Sequence, residues 1–270
     1  MPLPRTRLRS RSTFDRSGRG SAYRLPYNPS VGTNFGTFRI PTGQTLLFDA
    51  DDTLWENNIY FERAISAFIS YLDHRVHTPT EVREHLNACE HATIAAHGYG
   101  LKSFRRSLIA CFEQLTDEPI SLEKHERIVS FAQSVADHEI ELLPGVPATV
   151  AELATRHRCI LVTKGDPAEQ HAKLERSGLR SHFSAVEVLP EKHPEAYRTL
   201  AMHHLFDGPS TWMIGNSPKS DINPSLAAGL NAVFIPHGAN WVLEHESLNA
   251  APDGRRLLEV ECFERLIEIF

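Results

Sequence analysis

The chain has 270 residues, 41% of them hydrophobic and 23% charged, with a formal net charge of −6. That length permits one or two domains with a full hydrophobic core, while the lack of any apolar run near ~18 residues or of a secretory h-region argues against a membrane span or export signal. The charge is uneven: residues 1–44 hold eight Arg and one Asp (+7), and the acidic remainder (−13) argues against a nucleic-acid surface on the folded domain.

Residues 1–43, rich in Arg, Ser, Gly and Pro, have no apolar period and read as a basic disordered extension. A dispensable extension is the simplest reading; an arm drawn to RNA or membrane and an Arg- and Ser-rich leader are the alternatives. Leu46, Leu47 and Phe48 then read as a buried strand ending at Asp49 and Asp51. From 57 to 142 strand signals are poor and helical ones recur. Ile65, Phe68, Ile69 and Leu72 mark a helix over 58–75, and Thr78-Pro79 opens one running to His97. After the Gly98-Tyr99-Gly100 break, helices are expected over 101–115 and 121–140.

The turn cluster Leu143 to Pro147 precedes an alternating pattern. Helices are expected at 148–157, 167–177, 194–205, 224–228 and 255–269, and strands at 159–163, 185–189, 211–215 and 231–236. The expectation is an α/β fold: a Rossmann-like, doubly wound parallel sheet of about five strands, built from 44–56 and 143–270, with a helical-bundle cap over 57–142. Cys89, Cys111, Cys159 and Cys262 lack C-x-x-C spacing and read as reduced thiols of a cytoplasmic protein. The 15 histidines show no zinc-ligand spacing beside a carboxylate and read as structural or surface residues.

Ligands of open α/β sheets bind at the C-terminal strand ends. Those ends carry Asp49 and Asp51, then Thr163 and Lys164, then Lys192, then Asn216 to Asp221. Asp49-x-Asp51 alone also reads as a solvated acidic turn, since two close carboxylates need a cation or a shared proton to become a site. Carboxylates, a hydroxyl and ammoniums on successive tips are what phosphoryl transfer uses, because its catalysis is largely positioning and charge stabilisation. Two readings stay open for Lys164, a contact to a second substrate anion or a solvated side chain. Tyr99, Lys102 and Arg105 likewise read either as a loop facing the site or as an exposed helix junction.

Across 44–270 the chain resembles the haloacid dehalogenase-like hydrolase superfamily. Phe48-Asp49-Ala50-Asp51-Asp52-Thr53-Leu54 is similar to its first motif and Thr163 to its second. Lys192 resembles the third, and Gly215-Asn216 through Asp221 the fourth. The resemblance implies that Asp49 attacks phosphorus, that Asp51 is the acid and base, and that Thr163 and Lys192 hold the phosphoryl group. It also implies Mg²⁺ on Asp49, the backbone carbonyl of Asp51, Asn216 and Asp221.

Asn216 stands where the family usually has Asp, which removes a negative charge and implies weaker Mg²⁺ binding. Lys192 lies two residues before Pro194 and five before Tyr197, one short of the usual spacing, so Glu191 fills the slot counted from the proline; Lys173 is set aside as mid-helix. The implied function is a Mg²⁺-dependent phosphomonoester hydrolase for a small phosphorylated metabolite, with no nucleic-acid or membrane partner of the folded domain. A 2-haloacid dehalogenase, a phosphomutase and a non-catalytic binding module are the alternatives.

Overall fold

Alternating apolar runs and helices give a parallel sheet whose central strand is the first in sequence. The computed structural model describes residues 39–270 apart from Glu118 and Asn240, so the first 38 residues of the expected basic extension lie outside the described residues. The fold begins ahead of residue 44: Ile40 is buried and its N–H donates to the carbonyl of Ile269 (2.7 Å).

β1 (Thr45–Phe48) is buried along its whole length. It lies between β2 (Arg158–Lys164) and β4 (Thr211–Gly215). β3 (Ala185–Leu189) flanks β2, and β5 (Asn231–Phe234) flanks β4. The order β3-β2-β1-β4-β5-β6 is parallel throughout. Connections run to opposite sides of β1, so a switch point opens at its C-terminal end, where such sheets hold ligands. Val162, Leu47 and Met213 pack one sheet face against Tyr197 and Leu200.

The expected final helix over 255–269 is corrected. Leu257–Glu259 forms the sixth strand, β6, paired Ala232 to Leu257 and Val233 to Leu258. A single helical turn, Leu266–Ile269, follows. Three apolar residues cannot distinguish strand from helix by period, and the open edge of β5 offers ladder partners that an isolated turn lacks.

Between β1 and β2 the chain forms α1 (Asn58–Leu72), α2 (Pro79–His97), α3 (Leu101–Leu115), α4 (Leu122–Ala136) and α5 (Val146–Ala154). Thr78 and Glu81 form a capping box at the start of α2, and Ser121 caps α4. α1 to α4 bury Phe68, Leu86, Leu108 and Ile128 in a core of their own. Two adjacent segments join them to the sheet: Glu56 N–H donates to Glu141 O (2.9 Å) and Leu143 N–H to Leu54 O (3.0 Å).

α6 (Pro167–Ser177) follows β2, α7 (Pro194–His204) follows β3, and a π-helical turn over Pro218–Ile222 leads from β4 into α8 (Asn223–Ala227). Among the described residues no helix is long and apolar enough to cross a membrane. The four cysteines are free thiols, three of them buried.

Candidate active site

The tips of β1, β2 and β4 meet at the floor of a cavity of about 170 Å³. Asp49, Asp51, Thr163, Lys192, Asn216 and Asp221 all line it. Asp49 follows β1 directly and is buried. Its Oδ1 is 2.5 Å from Lys192 Nζ, and its Oδ2 accepts from the Thr53 hydroxyl (2.8 Å). The same hydroxyl is 3.1 Å from Asn216 Oδ1. Lys192 Nζ also donates to Asp221 Oδ1 (2.7 Å), while Asp221 Oδ2 accepts from the Ser217 N–H (2.9 Å). The short spacing from Lys192 to Pro194 is therefore absorbed at the start of α7, where His193 caps the helix and Lys192 precedes it.

Lys192 is 1% exposed along its side chain. Burial opposes its charge, but Asp221 and Asp49 outweigh burial and hold the ammonium above its ordinary pKa. Burial, with the charge of Asp49 second, pushes Asp221 up to about 7 despite Lys192. One ammonium thus serves two carboxylates, leaving a buried excess of negative charge.

Asp51 faces a different environment. Trp55 Nε1 and Lys173 Nζ reach its Oδ1 at 2.7 and 2.8 Å, and Gln170 Nε2 reaches its Oδ2 at 2.8 Å. Burial acts to raise its pKa, but Lys173 and these donors prevail and hold it below the usual carboxylate range. Lys173, set aside on sequence, therefore lies beside the first motif. Gln170 and Lys173 sit three apart on one face of α6, which starts just past the β2 tip. That spacing is the signal that could have found them. Asp52 adopts φ 61° and accepts from the N–H groups of Asn57 (2.9 Å) and Asn58 (3.0 Å), tying the β1 loop to α1.

Lys164 lines the cavity but is engaged by its own neighbours. Its Nζ lies 2.6 Å from Glu244, 2.8 Å from Ser220, 3.3 Å from the Tyr99 hydroxyl and 3.4 Å from Glu191. Burial disfavours its charge, yet Glu244 and its companions hold its pKa above the ordinary value. The structure thus favours neither sequence reading of Lys164. Tyr99 reaches the cavity, and its hydroxyl donates to Glu191 (2.6 Å). Lys102 and Arg105 are exposed and turned away from the cavity lining. Glu244 and Glu90 carry no motif signal, since each comes from a segment distant in sequence from the strand tips.

The donor chemistry suits a hard divalent cation. Asp49, the Asp51 carbonyl, Asn216 and Asp221 offer oxygen only, and the triad around Lys192 carries unbalanced negative charge.

A family model described as haloacid dehalogenase-like hydrolase matches residues 44–229. A phosphoserine phosphatase of Thermus thermophilus is 31% identical over 120 residues, 42% of this chain and 47% of the relative. An N-acylneuraminate-9-phosphatase of Rattus norvegicus is 32% identical over 92 residues, 32% of this chain and 37% of the relative. The chain thus spans less than half the length of either curated relative. A haloacid dehalogenase-like family hydrolase from Xanthomonas campestris superposes with a TM-score of 0.69 at 31% identity, covering 83% of this chain and 93% of that one. On the breadth of the family match and on this shared architecture, the chain belongs to the haloacid dehalogenase-like hydrolases.

Proposed function

We propose that the protein is a Mg²⁺-dependent phosphomonoester hydrolase that acts on a small phosphorylated metabolite through an aspartyl-phosphate, with the helices of 57–142 as its cap. The observation that carries this reading is the oriented Asp49 carboxylate, held between Lys192 and Thr53 beside an Asp51 fixed by three donors. The phosphatases among the curated relatives support it.

An Asp49 oxygen forms a bond to phosphorus as the ester P–O bond breaks. Asp51, ionised in the free site, takes up a proton as the phosphate dianion arrives and gives it to the departing oxygen, then takes a proton from the water that cleaves the acyl-phosphate and frees inorganic phosphate. The Thr163 hydroxyl and the Lys192 ammonium hold the phosphoryl oxygens, and Lys192 keeps Asp49 aimed. Mg²⁺, when bound, supplies the positive charge that lets a phosphate dianion approach three carboxylates. The enclosing helices exclude bulk water and bulky phosphoproteins.

Hydrolysis of p-nitrophenyl phosphate tests this directly. Turnover should need Mg²⁺ and stop with EDTA, and Asp49→Asn should lower kcat by about 10⁴-fold or more, since a carboxamide is no nucleophile at phosphorus. Activity that survives EDTA, or persists in Asp49→Asn, overturns the mechanism. Asn216 favours one second reading, a 2-haloacid dehalogenase; chloride release from 2-chloropropionate without any phosphatase activity would establish it.

A further inference from the structure

The cavity has a polar floor and a different roof. Phe61 and Ile65 of α1, Ile94 of α2, Phe104 of α3 and Trp241 line the side away from the strand tips. Among these apolar groups sits one carboxylate, Glu90 of α2, only 5% exposed. Trp241 donates a hydrogen bond to this carboxylate, but its Oε2 makes none: Arg83 Nη1, itself without a hydrogen-bond partner, stands 3.6 Å away, and the other Arg83 nitrogen is on Glu62 (2.7 Å). A buried acid with a loose ion pair is destabilising in the free protein, because attraction at that distance does not offset its lost hydration.

We propose that Glu90 selects phosphomonoesters of amino alcohols by receiving the cationic nitrogen of the leaving group. This rests on the phosphatase reading above and names the substrate class of that site. An ammonium group would give Glu90 the hydrogen-bonded cation it lacks, while the aromatic and aliphatic walls cover the carbon chain. Burial, helped by the charge of Glu62 and partly offset by Arg83 and the Trp241 hydrogen bond, pushes Glu90 up to about 7, so the free site resists holding the charge that a cationic ligand would stabilise.

The charges around the cavity also disfavour a carboxylate on the substrate. Its three lining lysines are occupied: Lys164 by Glu244, Lys173 by Asp51, and Lys192 by Asp49 and Asp221. Every lysine of the described lining thus already faces a carboxylate of the protein, which leaves a substrate carboxylate with hydroxyl and amide donors such as Ser103 and Asn57 and no uncommitted cation. The preference therefore runs to amino alcohol phosphates over phosphoserine, the substrate named for the Thermus relative.

Initial rates with Mg²⁺ on 3-aminopropyl phosphate, propyl phosphate, O-phosphoserine and p-nitrophenyl phosphate test this. The aminopropyl ester should exceed the propyl ester in kcat/KM by roughly 10- to 100-fold, mainly through KM, with phosphoserine below the aminopropyl ester. In Glu90→Gln that ratio should fall to within about threefold. An independent readout needs no variant: 3-amino-1-propanol should inhibit wild-type hydrolysis of p-nitrophenyl phosphate competitively, and 1-propanol should not. Equal use of aminopropyl and propyl esters by the wild type, or a preference that survives in Glu90→Gln, overturns the inference while leaving the phosphatase reading intact. Absence of turnover on every ester takes down both.

Discussion

A methyl group on Gly215 would lie 2.3 Å from Oδ2 of Asp221, closer than real side-chain carbons approach. The glycine at the end of β4 lets the Asp221 carboxylate lie flat on the strand tip, within reach of Lys192 and the Ser217 N–H. Asp221 cannot move aside cheaply, because it is 1% exposed and bonded through both oxygens. Gly215→Ala should therefore displace Asp221 and disturb the Lys192–Asp49 contact behind it. The expected outcome is a fall of about 10²-fold in kcat/KM, as for other misplacements of about 1 Å, with about 1–3 kcal/mol lost in stability. Kinetics and thermal melting check this; a variant with wild-type kcat/KM would show that Asp221 is not needed where it stands. The same steric argument explains why the fourth motif opens on glycine, which sequence reading takes as a match without a reason.

At the scale of elements, the strand tips were legible because β1, β2 and β4 are unbroken apolar runs followed directly by polar groups. Helix starts were legible where a capping residue precedes a helical period, as at Thr78 and Ser121. β6 was not, since three residues carry no period, and pairing with β5 settled what local sequence left open. Gln170, Glu244 and Glu90 escaped, and Lys173 is set aside as mid-helix, for another reason. Each reaches the cavity through tertiary packing of a helix or loop that bears no motif.

One such contact ties the helical unit to the sheet. α3 is preceded by Gly100, which offers no side-chain cap, and its Leu101 N–H donates instead to the Glu169 carboxylate of α6, 3.0 and 3.2 Å from its two oxygens. A negative group at a helix N-terminus meets both its unpaired N–H groups and its dipole. Glu169 thus holds the roof of the cavity over the floor. Glu169→Ala should remove roughly 1 kcal/mol from that closure, raising KM about threefold to tenfold for every ester while kcat changes less than about threefold. Because Glu169 favours no particular substrate, the ratio between aminopropyl and propyl esters should stay fixed. A shift in that ratio would show that Glu169 contacts the substrate.

At the scale of the whole molecule, charge and core divide along the chain at different points. Residues 1–38 contain seven of the eight N-terminal Arg and Asp15, so a chain starting at residue 39 carries a formal charge of −12 in place of −6. The hydrophobic boundary follows two residues on. Ile40, 4% exposed, donates its N–H to Ile269, and the Gly43 N–H donates to Arg156 O (2.9 Å), binding this segment to both the last helical turn and the approach to β2. Removal of 1–38 should therefore leave melting temperature and kcat/KM near those of the full chain. Removal of 1–43 forfeits the burial of one isoleucine and the hydrogen bonds of Ile40 and Gly43, about 3–6 kcal/mol together, which lowers the melting temperature by roughly 6–20 °C. Thermal melts and p-nitrophenyl phosphate kinetics of the two truncations beside the full chain make the comparison. A large loss already at residue 38 would assign the Arg-rich segment a part in folding or catalysis. Equal stability of both truncations would show that Ile40 contributes nothing to the core it sits in.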